Sequence, residues 1–371
     1  MTKTNKRQLN GSKDAISRYS RLKERLDNDS MNNNWISVDT ETNKNKDSSF
    51  NYIDLFSGAG GLSLGFRQAR LKKIFSIEVD PDASSTIKNN FRNSIHIQSE
   101  IEKVSDEQIL EVMGDKTIHV VCGGPPCNGF SVAGLRNPKD PRNQLFKEFC
   151  RVVELVNPWV VVMENVPGIL TMEKGEVKKE IINLFSRIGY KNMSVRILEA
   201  ATYRVPQLRT RAIFIANRFG LKNPYPKEIL KRKNYIPIEE AIYDLQTLPR
   251  DPNINHEWTR HRKEFEDRIA KVKPGASLYP TYRDAYKRQH LGVPSMAIKE
   301  NHGGTHIHPV LNRVISAREM ARLQTFPDEF IFSGKMKRAM WQVGNAVPVL
   351  MAKHIALALK TNLNKIMESK E

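Results

Sequence analysis

The fold is decided by the stretch Asn51-Tyr-Ile-Asp-Leu-Phe-Ser-Gly-Ala-Gly-Gly-Leu-Ser-Leu-Gly65. Its first residues, Asn51–Leu55, form a largely apolar run that predicts a strand, and a helical pattern continues through Ala69. The turn between them contains the glycines Gly58, Gly60 and Gly61. Glycines in such a turn let the chain reverse tightly and leave backbone N–H groups open to a ligand at the start of the helix. The stretch therefore predicts a strand–turn–helix unit with a ligand at the turn.

The ligand at this turn is expected to contain a nucleoside. The glycine spacing is not Gly-x-Gly-x-x-Gly, because position 63 is Ser and the next glycine is Gly65, and this disfavours a nicotinamide dinucleotide. The second predicted strand, Lys73–Val79, contains Glu78, and Asp80 follows it. An acid at this position commonly binds ribose hydroxyls.

Short apolar runs alternate with helical patterns as far as Asn217. The later predicted strands are His119–Cys122, Trp159–Glu164, Met193–Glu199 and Arg211–Ala216. The predicted helices after the first begin at Pro81 or span Asn143–Val156, Val177–Ile188, Ser316–Leu323 and Val349–Leu363. Strands this apolar, separated by helices, indicate an α/β fold with a mostly parallel sheet covered by helices on both faces. In such sheets ligands bind at the carboxyl ends of the strands.

Composition divides the chain into four parts. Residues 1–50 are polar, which favours a poorly ordered N-terminal extension, although apolar residues at helical spacing are compatible with a short helix over Lys13–Leu26. Residues 51–217 form the domain with the predicted catalytic and cofactor-binding residues. Residues 218–335 are basic and irregular, and they predict a second, smaller domain. Residues 336–371 are expected to return to the first domain.

The charge of the chain favours a polyanionic partner. It has 59 Lys and Arg against 41 Asp and Glu, a net charge of +18, and nucleic acid is the leading candidate. No apolar run approaches about 18 residues, so no transmembrane helix is expected. The polar start Met1–Arg7 predicts no signal peptide. The cysteines Cys122, Cys127 and Cys150 predict no disulfide framework, and we expect a cytoplasmic protein with no membrane partner.

Cys127 is the strongest candidate for a nucleophile. The stretch Gly123-Gly-Pro-Pro-Cys-Asn-Gly-Phe-Ser131 puts it in a loop directly after the apolar run Ile118–Cys122. A cysteine kept for packing normally lies within an apolar element, whereas this one follows a strand, where the backbone can approach a ligand closely. A free thiol has a pKa of about 8.5, so the reaction needs an activated thiolate.

Two other stretches supply an acidic side chain and two arginine cations. Met163-Glu-Asn-Val-Pro167 ends an apolar strand with Glu164, whose pKa should be raised by poor solvation, which suits it to donate a proton. The alternative is an acid that caps the following turn. In an extended segment, Gln207, Arg209 and Arg211 lie on one face, where two guanidinium groups could hold a carboxylate, a phosphate or a base carbonyl.

Together these motifs resemble those of DNA cytosine-C5 methyltransferases of the bacterial restriction–modification type. The resemblance spans about residues 51–360, with the motifs in the family order. The matching stretches are Phe56–Gly61, Gly124–Cys127, Glu164–Val166, Gln207–Arg211, Arg318–Asp328 and Gly344–Pro348. The resemblance implies a Rossmann-like, S-adenosylmethionine-dependent methyltransferase sheet. It also implies that residues 218–335 are a target-recognition domain.

The resemblance implies a mechanism in which Cys127 attacks C6 of a cytosine flipped out of duplex DNA. Glu164 would hold or protonate N3, Arg211 would hold the carbonyl oxygen, and Arg209 would support the pocket. Ser131 would belong to the loop that closes over the base. S-adenosylmethionine would supply the methyl group to C5 and leave as S-adenosylhomocysteine, and loss of the C5 proton would expel the thiolate.

The resemblance also implies a cofactor pocket in which Phe56 contacts the adenine and Glu78 the ribose. The residues expected to form this pocket are Phe56, Gly58, Gly60, Gly61, Glu78, Glu100, Pro126, Leu145, Asn345 and Val347. Two positions depart from the family pattern. Asn128 stands where the family has Gln, beside the nucleophile, and Glu100 stands where the family has Asp.

The resemblance further implies a monomer that acts on duplex DNA in the bacterial cytoplasm, at the nucleoid. A cognate restriction endonuclease would act on the same site without forming a stable complex. One alternative is a tRNA cytosine-C5 methyltransferase of the same fold, but that branch has a Cys-Phe-Thr signature and this chain has no cysteine after Cys150. Another is an inactive DNA-binding relative, which retention of Cys127, Glu164, Arg209 and Arg211 disfavours.

Two clusters in the basic region leave their roles open. His302, His306 and His308 surround Gly303-Gly304, which argues against a helix that presents them to a metal, so no metal site is predicted. Aromatic and basic residues interleave over residues 279–288. They suit nucleic-acid contact, and a solvated basic face with its tyrosines turned inward is equally compatible with them.

Overall fold

The computed structural model describes residues 50–126, 141–279, 281, 285–299 and 306–370. Its main strands are β1 Asn51–Leu55, β2 Lys72–Glu78, β3 Ile95–Gln98, β4 Val120–Gly123, β5 Val160–Asn165 and β6 Ser194–Glu199, with the short β7 Gln207–Leu208 preceding β8 Thr210–Asn217. Seven of them form one sheet in the order β3-β2-β1-β4-β5-β8-β6. Strand β7 lies outside it and pairs with β10 Ser295–Met296, and β9 Lys287–Arg288 pairs with β11 His306–Ile307.

The sheet is mostly parallel, which confirms the predicted fold class. Strands β1 to β5 pair in parallel. Only β8 runs in the opposite direction, antiparallel to both β5 and β6. The reversal brings the beginning of β8, rather than its end, to the edge where β5 ends.

The helices are α1 Gly61–Gln68, α2 Pro81–Asn90, α3 Asp106–Met113, α4 Pro141–Val156, α5 Glu176–Arg187, α6 Glu239–Ile242, α7 Lys263–Ala270, α8 Ala317–Leu323, α9 Met336–Asn345 and α10 Val349–Glu368. They cover both faces of the sheet, and alternate residues of β5 show the two sides. Val161 and Met163 pack in the core formed with α3, α4 and α5. Val160 and Val162 pack in the core formed with α1 and α10. Burial on both faces is why the strands are continuous apolar runs rather than alternating ones.

Residues 218–335, predicted as one small domain, contribute buried residues to two separate cores, and Leu221 and Tyr225 pack against the core formed with α1 and α10. One is built around Phe326 and Phe330 and includes Leu64 of α1 and Ile87 of α2. The other is small and contains Ile269, Val272 and Ile307. The predicted N-terminal extension, apart from Phe50, lies outside the described residues. In the described part of the chain, no helix is long and apolar enough to cross a membrane.

Candidate active site

The glycine turn follows β1 directly and requires left-handed backbone. Phe56 has φ 55°, Gly58 φ 53° and Gly60 φ 88°, after which α1 begins at Gly61. A Cβ atom on Gly58 would meet no heavy atom within 4 Å, so this glycine borders open space. The backbone N–H of Gly58 donates to Glu78 Oε2 over 2.7 Å. The turn is therefore fixed by a carboxylate and open on its outer side, as a ligand loop requires.

Glu78 links the ends of β1 and β2 through its carboxylate. Besides the Gly58 contact, its Oε1 accepts the N–H of Asp80 over 2.9 Å. Burial raises the pKa of Glu78 above its ordinary value, and these two backbone hydrogen bonds only partly oppose the shift. A half-buried carboxylate beside open space fits the ribose of a nucleoside cofactor, because carboxylate oxygens accept several hydrogen bonds.

The C-terminal segment closes against the glycine turn by backbone contact. A Cβ on Gly61 would lie 2.3 Å from the carbonyl oxygen of Val347. One on Gly65 would lie 2.4 Å from Cβ of Ala352. Both positions therefore need glycine. The predicted cofactor residue Val347 is buried here, whereas Asn345, the last residue of α9, is exposed.

The other predicted cofactor residues lie in different surroundings. Phe56 and Leu145 are half-buried and pack against the same core cluster. Ile97 of β3 packs against this cluster too. Pro126 is exposed. Glu100 is also exposed, and its Oε1 lies 2.9 Å from Nζ of Lys103, so its carboxylate is engaged with a neighbouring cation.

Glu164 and Arg211 form an ion pair at the end of β5. The Arg211 Nε atom lies 2.6 Å from Glu164 Oε1, and the two side chains are 14% and 12% exposed. On the other side of the carboxylate, a Cβ on Gly124 would lie 2.9 Å from Oε2. Gly124 thus lets the chain that leaves β4 pass directly against Glu164.

Asn165 ties the loop after β4 to the same edge. Its Nδ2 donates to the carbonyl oxygen of Pro125 over 2.9 Å. Sequence reasoning treated Asn165 only as part of a motif, since a loop contact of this kind has no local signal. The predicted nucleophile Cys127, its neighbour Asn128 and the loop residue Ser131 lie outside the described residues.

Gln207 and Arg209 are buried and bind other parts of the protein, whereas Arg211, expected on the same face of the extended segment, is half-buried. Arg209 is buried, and its guanidinium donates to the carbonyl oxygens of Ile298, Gly344 and Ala346. Burial lowers its pKa, the charge of Arg211 lowers it further, and Glu164 opposes this. Arg209 therefore fastens Ile298 and residues 344–346 to the segment that precedes β8.

Arg288, His306 and His308, all from the basic region, are buried within the protein. Arg288 is buried, and all of its hydrogen-bond acceptors are oxygens of uncharged groups. Its charge is therefore not directed at a nucleic acid. His306 and His308 are buried, while His302 lies outside the described residues. Among the described residues, no group of three or more His, Cys, Asp or Glu could hold a metal ion.

The sequence of this chain is similar to those of known proteins. A family model for C-5 cytosine-specific DNA methylase matches residues 50–361. The chain is 39% identical over 333 residues to the type II methyltransferase M1.HphI of Haemophilus parahaemolyticus, covering 85% of this chain and 88% of that protein. It is 35% identical over 385 residues to M.DdeI of Desulfomicrobium norvegicum, covering 86% and 91%.

Solved structures show the same fold. A protein assigned as a DNA modification methyltransferase, encoded within a prophage of E. coli, has a TM-score of 0.71 and 28% identity, covering 85% of this chain and 100% of that one. A Spodoptera frugiperda DNMT2 mutant has a TM-score of 0.60 at 18% identity and supports the fold alone, covering 84% and 99%. The family match spans most of the sequence, and this protein belongs to the C-5 cytosine-specific DNA methylase family.

Proposed function

We propose that this protein transfers a methyl group from S-adenosylmethionine to C5 of a cytosine in duplex DNA, as the modification enzyme of a type II restriction–modification system. The observation that carries the proposal is the Glu164–Arg211 pair, which lies against the loop leading to Cys127. Attack of a thiolate on a pyrimidine ring requires an acidic group at N3 and a cation at the ring carbonyl oxygen.

The reaction begins when the target cytosine leaves the duplex and enters the pocket. The Cys127 thiolate forms a bond to C6, and Glu164 delivers a proton to N3, so that negative charge does not build up on the ring. Arg211 donates to the ring carbonyl oxygen. Attack at C6 turns the ring into an enamine whose nucleophilic carbon is C5. This carbon takes up the methyl group, and a base then removes the C5 proton. The C5–C6 double bond re-forms, the Cys127 thiolate leaves, and the N3 proton returns to Glu164.

The ion pair defines what Arg211 does before the base arrives. A guanidinium that contacts Glu164 through Nε keeps its terminal nitrogens for other acceptors, and one of them donates to the carbonyl oxygen of Thr210. A base carbonyl is a further acceptor that this planar fork can reach. Ser131 is proposed to act in the loop that closes over the base.

The cofactor supplies an activated methyl group when bound. Glu78 is proposed to accept hydrogen bonds from the ribose hydroxyls. Phe56 is proposed to lie against the adenine, and Gly58 to leave room for the cofactor beside Glu78. The open space at Gly58 next to a fixed carboxylate supports this assignment. The exposed Glu100 would have to leave Lys103 to reach the adenine amino group.

The partners follow from the same proposal. Duplex DNA is the substrate, a cognate endonuclease acts on the same sequence without forming a stable complex, and the enzyme works as a monomer at the nucleoid. The names of the type II relatives support the duplex DNA substrate and the restriction–modification role. The tRNA alternative has the weaker support, because the matching family model is that of DNA methylases.

Transfer of labelled methyl groups tests the substrate. Purified protein is incubated with methyl-labelled S-adenosylmethionine and either bacterial duplex DNA or tRNA, and labelled DNA is mapped by bisulfite sequencing. Label at cytosine C5 in a fixed DNA sequence is expected. Label in tRNA alone would overturn the proposal.

The Cys127→Ser variant tests the covalent step, with the buried Cys150→Ala as its matched control. The first variant should lose methylation and keep DNA binding, because only the bond to C6 is removed. The control should methylate DNA. Full turnover by Cys127→Ser would refute the nucleophile assignment.

A further inference from the structure

A row of polar contacts, here called the α2 seam, joins helix α2 to residues 331–342. Thr86 Oγ1 donates to Gln342 Oε1 over 2.7 Å, and Gln342 Nε2 donates to the carbonyl oxygen of Ser333 over 2.8 Å. Asn90 Nδ2 donates to the carbonyl oxygen of Ile331 over 2.9 Å. The helix that follows Glu78 is therefore held by the segment that precedes the last motif.

Arg338 lies at the end of this seam next to the cofactor turn. Its Nε donates to Asp82 Oδ2 over 2.8 Å, and a terminal nitrogen donates to Asp80 Oδ2. The guanidinium also stacks over the Trp341 ring, 4.6 Å from its centroid. The Asp82 carboxylate is confined from behind, because a Cβ on Gly334 would lie 2.7 Å from its Cγ. One guanidinium thus joins two carboxylates of α2 and its cap.

Asp80 connects Arg338 to Glu78. Its Oδ1 caps α2 by accepting the N–H of Ala83 over 2.9 Å, and its own N–H donates to Glu78 Oε1 over 2.9 Å. Glu78, Asp80 and Asp82 place three carboxylates within five residues of the sequence. Like charges this close repel, and Arg338 is the cation that contacts two of them.

We propose that Arg338 is a positioning residue for the cofactor: by holding Asp80 and Asp82 it keeps the Glu78 carboxylate in the orientation that receives the ribose. The inference rests on the proposed binding of S-adenosylmethionine at the glycine turn. Arg338 acts through Asp80 and does not itself contact the cofactor. The segment that contains α9 and Val347 therefore determines the affinity for the cofactor in two ways: through the charge of Arg338 and through the backbone contact at Val347.

Affinity for S-adenosylhomocysteine measured by titration calorimetry on the full chain tests the proposal without DNA. Arg338→Ala should raise the Kd by roughly three- to tenfold at low salt, the range that loss of two partly exposed ion pairs gives. High salt screens such pairs, so the difference from wild type should shrink there. In methylation assays KM for S-adenosylmethionine should rise while kcat is retained.

Lys337→Ala is the matched control, because Lys337 is the exposed neighbour on the same helix. It removes the same formal charge and should leave the Kd unchanged. Arg338→Lys keeps the charge but loses the fork and should give an intermediate Kd. If Arg338→Ala does not fold, Arg338→Gln, which keeps the length without the charge, takes its place.

The results separate a positioning role from a merely structural one. A Kd that rises for Arg338→Ala or Arg338→Gln, with a salt-dependent gap and unchanged DNA affinity, supports the proposal. A lower melting temperature with wild-type Kd overturns it, as does an equal rise for Lys337→Ala. Failure of the wild-type protein to bind S-adenosylhomocysteine would instead contradict the proposed function.

Discussion

Glu164 and Arg211 are diagonal neighbours on two antiparallel strands. Glu164 of β5 lies opposite Ile213 of β8, and Arg211 lies two residues before Ile213 on the same face. Diagonal positions across antiparallel strands are within reach of long side chains. The pair exists only because β8 is reversed, since a parallel β8 would carry its first residues to the opposite edge of the sheet.

Glu164→Gln should reduce methylation strongly while cofactor binding remains. The amide can still accept a hydrogen bond from Arg211 but cannot deliver a proton to the base. General acid catalysis contributes about 10²–10⁴-fold, so a single-turnover rate lower by that factor is expected. The exposed Glu180→Gln is the control. A Glu164→Gln rate within a factor of a few of wild type would exclude a proton-donating role.

Gly61→Ala should destabilise the fold, because its Cβ would lie 2.3 Å from the Val347 carbonyl oxygen. Overpacking of this kind typically costs about 1–3 kcal/mol in the free energy of unfolding. Gly168→Ala is the matched control, since no heavy atom lies within 4 Å of the added Cβ. Urea unfolding of the two variants measures the difference, and equal stability would contradict the observed close contact.

Arg288→Lys should destabilise the small core around Ile269 and Val272 and leave the salt dependence of DNA binding intact. The guanidinium donates to carbonyl oxygens of Ile269, Val272, His308 and Leu311 and to Asn312 Oδ1. An ammonium cannot bond all of these, and each unsatisfied buried group costs about 1–3 kcal/mol. Urea unfolding measures the loss, with the exposed Arg260→Ala as control.

DNA affinity measured over a range of salt completes the Arg288 test. A phosphate contact contributes about one unit to the slope of log K against log salt. The slope of Arg288→Lys should therefore equal that of wild type. A lower slope together with wild-type stability would mean that Arg288 contacts DNA.

Stability should fall as the pH drops through the range in which histidines titrate. Burial lowers the pKa of His308 to about 4, below the value of an unfolded histidine. The unfolded chain then binds more protons than the folded one, so His308 alone should cost about 2 kcal/mol between roughly pH 7 and pH 5. The structural reason is that Nδ1 accepts the N–H groups of Val310 and Leu311, which a protonated ring cannot do.

His308→Asn tests this assignment, because an amide oxygen can replace Nδ1 and does not titrate. Urea unfolding across the pH range should show a shallower slope for His308→Asn than for wild type. The exposed His290→Asn should keep the wild-type slope. Identical slopes for all three proteins would show that His308 contributes nothing to the pH dependence.

The parallel core was predictable because strands that are buried on both faces appear in the sequence as continuous apolar runs. The strand predicted over Trp159–Glu164 is observed at Val160–Asn165, and the one predicted over Asn51–Leu55 is observed with those bounds. Strand β3, Ile95–Gln98, was missed because it is a short edge strand whose side chains are half-buried or exposed. Helix α9 was missed because its last turn contains Gly344, which favoured a loop.

The sequence was enough to choose the residues of the candidate site, but it indicated only part of what each of them does. Arg209 and Arg211 are equivalent in the local pattern, since both lie on one face of an extended segment. Their difference comes from distant residues: carbonyl groups at Ile298 and Gly344 surround Arg209, whereas Arg211 meets Glu164. Contacts between residues so far apart in the chain leave no mark on the spacing of a motif.

The contact between Gly61 and Val347 has a consequence for how the protein is made. The strand and turn of β1 are synthesised before the rest of the sheet, but the backbone that covers them follows the whole sheet in the sequence. Synthesis of the whole sheet therefore yields an unfinished enzyme, and activity should begin only when α10 has emerged. A product that ends before Val347 should be inactive even though it contains every residue of the nucleophile loop.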